Sequence, residues 1–369
     1  MRYLLCGGGT GGHINPALAI ASSIKNVDAD AVIEFVGTDR GLETKLVPEA
    51  GYKLNTVEVY GFHRSFTLKN VKVAYKALTS VKNAKKIIKS FGPDIVIGTG
   101  GYASWPCVKA AASLGIPTLI QEQNAFPGVT TKKLSKCVDT VCTSFVESHK
   151  LFDPSVQNKL VLTGNPIKEN PFSRSEARRK LGLSDDDIYV LSYGGSLGAE
   201  KVNEYCIDAM EIYKDNPKIK QLHAVGHIGW ERFSASVKEK GLDKREGYEI
   251  VEYIYDMPLR QAAADIVICR AGAMTYSELA CLGRATVFIP SPNVAEDHQY
   301  KNAAVLKDAG AAEVFRESEL DGAKLAECIA SLASDNGKRE KMAAKMKEYG
   351  KPDALKKITD EVMKLVKQK

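Results

Sequence analysis

Short apolar runs alternate with helix-spaced segments along the whole chain, and glycine punctuates them. Residues 2–6, RYLLC, suit a buried strand. The next six, GGGTGG, hold five glycines, and Asn15 followed by Pro16 reads as an N-cap and first helical residue leading into ALAIASSI. The order of strand, glycine loop and helix returns at 187–210, DIYVLSYGGSLGAEKVNEYCIDAM, where Gly194, Gly195 and Gly198 are spaced like Gly8, Gly9 and Gly12. A second pair agrees more closely. DIVIGTGGYASW from Asp94 and DIVICRAGAMTY from Asp265 are each followed by a helical run, Leu-Gly and another apolar strand, IPTLI or ATVFI.

Such alternation predicts parallel sheets with right-handed crossovers, hence an α/β chain of two doubly wound, Rossmann-like domains. At 369 residues the chain also exceeds what a single core supports. The boundary is expected in LVLTGNPIKENPF, where an apolar run ending at Leu162 meets Gly164, Pro166 and Pro171. The first domain is thus read as 1–163 and the second as 164–351. Beyond Pro352, a stripe of Leu355, Ile358, Val362 and Leu365 needs a surface to cover, so 352–369 is expected to return to the first domain. A solvated amphipathic tail is the alternative. Doubly wound sheets bind ligands outside the C-terminal ends of their strands, where these glycine loops fall, and the two domains are expected to face one another across a ligand cleft.

Composition narrows the class. Hydrophobic residues at 44% and charged residues at 26% are ordinary for a soluble globular protein. No run reaches the ~18 apolar residues of a membrane span, and no signal peptide is expected because the apolar start breaks at once into glycines. The eight cysteines contain no C-x-x-C and fall mostly in apolar segments, which suits reduced core thiols better than a disulfide framework or a zinc site. The net charge of +6 is uneven: residues 1–163 carry 19 Lys and Arg against 12 Asp and Glu, the remainder 32 against 33. No acid occurs between Glu58 and Asp94, while Arg64, Lys69, Lys72, Lys76, Lys82, Lys85, Lys86 and Lys89 all do. Phe62, Phe66, Leu68, Val71 and Tyr75 are interleaved with them. Cations mixed with insertable apolar groups over residues 61–91 favour an anionic membrane surface; a solvated lysine face is the plainer reading, and no RNA- or DNA-binding motif supports nucleic acid.

A glycine loop running into a helix presents bare N–H groups and the positive end of the helix dipole, a setting for phosphate. Gly7, Gly9 and Gly12 fit G-x-G-x-x-G, with Asp39 downstream of the second strand, AVIEFVG. On the loop alone, a nicotinamide or flavin dinucleotide, another phosphate ligand, and a purely structural turn all stay open. Glu278 reads either as a hydroxyl-binding carboxylate or as an acid favoured by a helix N-terminus. Tyr253 and Ile254 read as ligand contacts or ordinary core, and Gln299 and Asn302 as ligand contacts or as capping or helix-surface amides. The D-x-D in SDDD at 184–187 precedes a strand, at the sheet edge away from the glycine loops, and reads as turn chemistry; no protein-held metal or other cofactor is expected.

With these segments assembled, the chain closely resembles the MurG family of bacterial N-acetylglucosamine transferases, nearly end to end. The marks are GGTGGHINP, GTGGYASWP, QEQNAFPG, LTGNPIK, GGSLGA with Asn203, RAGAMTYSE and EDHQYKNA, in the family's order. Departures are Trp105 for a usual glycine, Gln121 for a common histidine, Leu197 for a frequent glutamine, and Lys168 for an arginine. Lys168 keeps the charge but loses the bidentate fork. The resemblance implies a GT-B fold and inverting transfer of N-acetylglucosamine from its UDP derivative to the 4-hydroxyl of undecaprenyl-diphospho-N-acetylmuramoyl-pentapeptide, at the cytoplasmic face of the cell membrane.

It also implies roles. The uracil would meet Tyr253 and Ile254, the ribose hydroxyls Glu278, and the phosphates Ser196, the Gly194 loop and the turn Ala273, Met274, Thr275, Tyr276 and Ser277. Gln299 would face the transferred sugar with Asn302 nearby, and Lys168 would meet diphosphate. Thr10, Gly11, Gly12 and Asn124 would be acceptor-side or bridging contacts. An α-linked donor and β-linked product need a single in-line displacement assisted by a base. His13 is the leading candidate for that base and Glu122 the alternative; His13 could instead only bind acceptor diphosphate. A nicotinamide oxidoreductase using Gly7–Gly12, or a noncatalytic UDP-sugar sensor, would be the rival classes.

Overall fold

The computed structural model describes residues 1–59, 69–195 and 197–367, residues 69–78 and 295 by backbone alone. The chain forms two units, Met1–Lys168 with Lys351–Lys369, and Glu169–Gly350. In the first, the strands are β1 (Arg2–Gly7), β2 (Val32–Gly37), β3 (Lys53–Thr56), β4 (Ile95–Gly100), β5 (Thr118–Glu122), β6 (Thr140–Thr143) and β7 (Leu160–Leu162). Its helices are α1 (Gly11–Val27), α2 (Glu43–Glu49), α3 (Lys69–Phe91), α4 (Ser104–Ser113) and α5 (Val129–Ser135), joined by a last helix, α14 (Ala354–Lys367). The second unit contains β8 (Ile188–Tyr193), β9 (Ile219–Ala224), β10 (Tyr248–Val251), β11 (Ile266–Cys269), β12 (Ala285–Phe288) and β13 (Glu313–Val314). Around them lie α6 (Arg174–Lys180), α7 (Glu200–Ile212), α8 (Trp230–Glu239), α9 (Met257–Ala263), α10 (Ala273–Leu282), α11 (His298–Asp308), α12 (Gly322–Ser334) and α13 (Asn336–Glu348).

The strand orders are β3-β2-β1-β4-β5-β6-β7 and β10-β9-β8-β11-β12-β13, and every ladder is parallel. Each is the doubly wound order, which reverses direction beside its first strand. Near-continuous burial of β1, β4 and β5 is what strands covered on both faces require. One face of the first sheet packs Leu4, Val96 and Ile120 against Ala84 and Ile88 of α3 and Val108 of α4. On the other, Tyr3, Leu5 and Ile97 meet Ile14, Ile20 and Ile24 of α1 together with Ile358, Val362 and Val366 of α14. A Thr359–Ser23 hydroxyl pair at 2.8 Å ties α14 to α1. Fully burying an aliphatic side chain contributes roughly 1.5–3 kcal/mol, enough to hold a fourteen-residue helix against this face.

Two expectations are corrected. α1 begins at Gly11, after an extended Thr10, so Asn15 is not its N-cap and Pro16 lies inside it. The missing proline N–H costs one bond to the Gly12 carbonyl, a loss confined to the glycine turn. Residues 164–168 and Lys351 also belong with the first unit rather than the second. The amides of Thr163 and Gly164 both donate to the Thr143 carbonyl, and Asn165 is bound into a buried network with Gln121 and Ser144.

Candidate functional site

In the first unit the sheet reverses between β1 and β4, and the two glycine loops that follow these strands touch: a Cβ on Gly101 would lie 2.3 Å from the Gly8 carbonyl oxygen. His13, in the first turn of α1, lies against Gly100, where a Cβ would come within 2.5 Å of its Nδ1. That nitrogen is 3.1 Å from the Thr99 carbonyl oxygen and 3.3 Å from Gln123 Oε1. Both partners are acceptors, so Nδ1 carries the proton and Nε2 is the basic nitrogen of the neutral ring. Gln123 is fixed in turn, its Nε2 donating to the Thr99 and Gln121 carbonyls at 2.8 and 3.1 Å. Thr10 and Gly12 are exposed and Gly11 half-buried beside it.

Glu122, the second base candidate, is placed otherwise. It is 4% exposed, and its carboxylate accepts hydrogen bonds from Asn124 N–H and Nδ2 at 3.0 Å each and from Gly128 N–H at 3.2 Å. It holds the 122–128 loop and with it Asn124. The dinucleotide reading of the loop fails on geometry too. Asp39 is accessible, as a ribose-binding acid would be, but the Gly9 N–H that such a ligand would need is already taken by Glu43 Oε2 at 2.7 Å. Lys168 is exposed at the end of the first unit's long segment.

The second unit holds a pocket of about 540 Å³ where its sheet reverses between β8 and β11. Gly194, Gly195 and Gly198 form one wall, and Arg270, Thr275 and Gln299 form others. α10 starts here, and the first turn of a helix directs backbone N–H groups and the positive end of its dipole toward an anion. Arg270 is held in place, donating through Nη1 to the Ile289 carbonyl at 2.9 Å and paired through Nη2 with Glu317. Gln299 Oε1 accepts from Ser291 N–H at 2.9 Å. Ser196 lies outside the described residues.

Glu278 stands one turn further along α10, where its Oε2 accepts from Gln261 Nε2 at 3.2 Å. Burial pushes its carboxyl above the ordinary glutamate range, and the Gln261 bond only partly offsets this. Tyr253 is exposed just beyond β10, stacked on His227 at 5.8 Å, whereas Ile254 beside it is buried. Neither they nor Glu278 line the 540 Å³ pocket. Tyr276, Ser277 and Asn302 are turned inward: Asn302 is wholly buried, Tyr276 is core, and Ser277 Oγ donates to its own helix at Ala273. As expected from its position, SDDD is a turn before β8, with Asp187 accepting from Ser184 N–H at 2.8 Å.

Sequence reasoning missed Arg270, Gln123 and Glu43. Arg270 alone carried a usable signal, a cation placed directly between the end of β11 and the start of α10.

Paired units of this kind, each with a glycine loop where its sheet reverses, are the architecture of GT-B glycosyltransferases. The chain belongs to glycosyltransferase family 28, whose N-terminal domain matches residues 3–143 and whose C-terminal domain matches residues 189–358. It is 46% identical over 360 residues to the UDP-N-acetylglucosamine–N-acetylmuramyl-(pentapeptide) pyrophosphoryl-undecaprenol N-acetylglucosamine transferase of Caldanaerobacter subterraneus subsp. tengcongensis, covering 97% of this chain and 98% of that one. The transferase of the same name from Clostridioides difficile is 42% identical over 370 residues, 99% of this chain and 89% of the relative. The crystal structure of Acinetobacter baumannii MurG superposes with a TM-score of 0.79 at 29% identity, over 98% of this chain and 99% of that one.

Proposed function

We infer that this chain is an inverting glycosyltransferase that moves N-acetylglucosamine from UDP-N-acetylglucosamine to the 4-hydroxyl of undecaprenyl-diphospho-N-acetylmuramoyl-pentapeptide, the step from lipid I to lipid II in peptidoglycan synthesis. The observation that carries the reading is full-length membership of family 28 together with a phosphate-suited pocket at the β8/β11 reversal. It replaces the oxidoreductase and sensor readings.

For the residues, we propose that UDP binds the second unit, its diphosphate on the Gly194 loop, Ser196 and the first turn of α10, its ribose hydroxyls on Glu278 and its base by Tyr253 and Ile254. Gln299 would face the sugar. The acceptor diphosphate would use the loop from Thr10 to Gly12 and Lys168, with Asn124 bridging. His13 Nε2 would take the 4-hydroxyl proton as the hydroxyl oxygen attacks the anomeric carbon and UDP leaves. Its Nδ1–H bond to Thr99 supports this role, since it fixes the tautomer that leaves Nε2 basic. Arg270 would offset charge on the leaving diphosphate.

Attachment to the membrane surface through residues 61–91 fits a lipid-linked acceptor. Residues 61–68 lie outside the described residues, but the later part of α3 buries Ala84, Ile88 and Phe91 and exposes Lys82, Lys86 and Lys89. No helix among the described residues is long and apolar enough to cross a membrane. The test is turnover with a lipid-diphosphate muramyl acceptor, offering UDP-N-acetylglucosamine or UDP-glucose. Transfer from the first and little from the second is expected; no transfer despite UDP binding would refute the assignment.

A further inference from the structure

The first glycine loop already holds an anion, and it comes from the chain itself. Glu43, at the start of α2, is completely buried. Its Oε2 accepts from Gly9 N–H at 2.7 Å, and its Oε1 accepts from Thr38 N–H at 2.8 Å and Thr38 Oγ1–H at 2.7 Å. Three glycines, Gly8 of the first loop, Gly37 at the end of β2 and Gly41 of the β2–α2 connection, are bare around this carboxylate. A Cβ on Gly8 would lie 2.3 Å from Oε1, one on Gly37 would lie 2.5 Å from Cγ, and one on Gly41 would lie 2.1 Å from Oε2. Burial alone would raise the Glu43 carboxyl, but the donors from Gly9 and Thr38 outweigh it and hold the group below the ordinary glutamate range. In a dinucleotide-binding loop the corresponding amides approach pyrophosphate, and the acid after the second strand points outward to a ribose. Here Asp39 after β2 points outward, but a second acid further on, Glu43, is folded inward onto the amide of Gly9, a residue held at φ 86 directly before Thr10 and α1.

We propose that Glu43 is a resident anion of the first glycine loop, a positioning and specificity-determining residue that bars nucleotide phosphates from Gly8 and Gly9 and sets the Thr10–His13 turn to receive the acceptor. A phosphate at Gly9 would meet a carboxylate at hydrogen-bonding distance, so an incoming diphosphate is diverted to the first-turn amides of Gly11 and Gly12. The proposal rests on the acceptor-side reading given above.

The test compares wild type, Glu43→Gln and Glu43→Ala. Glu43→Gln places an amide where one of three donors must be faced, so kcat/KM for the lipid-diphosphate acceptor should fall about ten- to hundredfold. UDP affinity, measured by calorimetry, should stay within about twofold because the change is confined to the other unit. Glu43→Ala should show the same loss and leave a carboxylate-shaped hole, so sodium formate should raise its melting temperature and restore part of its transfer rate, while sodium chloride at equal concentration should do neither. Unchanged acceptor kinetics in Glu43→Gln, equal loss of acceptor and UDP binding in both variants, or indifference of Glu43→Ala to formate would each overturn the proposal. A wild type that binds UDP but transfers nothing would instead sink the functional reading. The formate melting measurement needs no turnover, so a failure of formate to stabilise Glu43→Ala overturns the proposal even where transfer cannot be read.

Discussion

Replacing Glu278 tests the donor site most sharply, because affinity and pH dependence must change together. Hydrogen bonds to a charged group contribute about 1.5–3 kcal/mol each. Two ribose hydroxyls sharing a carboxylate already held by Gln261 should bring about 2–3 kcal/mol in all, so Glu278→Ala should weaken UDP roughly 30- to 150-fold. The pH dependence follows from burial, which raises the carboxyl above the ordinary glutamate value. The contribution of Glu278 to folded stability is therefore fullest below the ordinary pKa and is lost as pH rises through the raised one. Ribose donors favour the ionised form, so bound UDP lowers the raised pKa, and affinity should climb with pH across that interval and then level off. Calorimetry in buffers of different ionisation enthalpy should detect proton release on binding within the interval, and none in Glu278→Gln. A flat wild-type pH profile, or wild-type affinity in Glu278→Ala, would refute the reasoning.

Three further outcomes are expected. His13→Gln should lower kcat about 10²- to 10⁴-fold with the UDP dissociation constant unchanged, measured by steady-state transfer and calorimetry. Ile358→Ala, at a fully buried position of α14, should cost the first unit about 2–5 kcal/mol. Urea unfolding of a Trp230→Phe background can show it, since Trp105 then reports that unit alone. Each cation near an anionic surface contributes about 1 kcal/mol, so the protein should sediment with phosphatidylglycerol vesicles at low salt and be released as salt rises; absence of binding at low salt would count against the surface assignment to residues 61–91.

Both sheets were legible because parallel strands buried on two faces read as continuous apolar runs, and because strand, loop and helix occur twice in matching order. The helix start was misread since Asn15–Pro16 is a stronger local signal than Thr10 followed by two poor helix formers, Gly11 and Gly12; the extended backbone at Thr10 decides it. The division near Thr163 was displaced because Asn165 is fixed by side chains more than twenty residues away, which no local rule reports. Glu43 was illegible for a related reason. A glutamate in a short surface-type sequence reads as solvated, and only the assembled β1 and β2 loops show the three donors that keep it inside. His13 was a candidate from its motif, whereas its tautomer depends on Thr99 and Gln123, which only the folded first unit brings against it.

The seat of α14 on α1 has a consequence for biosynthesis. Domains generally complete themselves from the N-terminus as the ribosome releases them. Here one layer of the first unit is translated last, so the second unit can finish its core while the first still exposes Ile14, Ile20 and Ile24 to the nascent-chain environment. The half of the enzyme made first is thus the half that matures last, and a stalled or clipped message would release a folded second unit beside an unfinished first one.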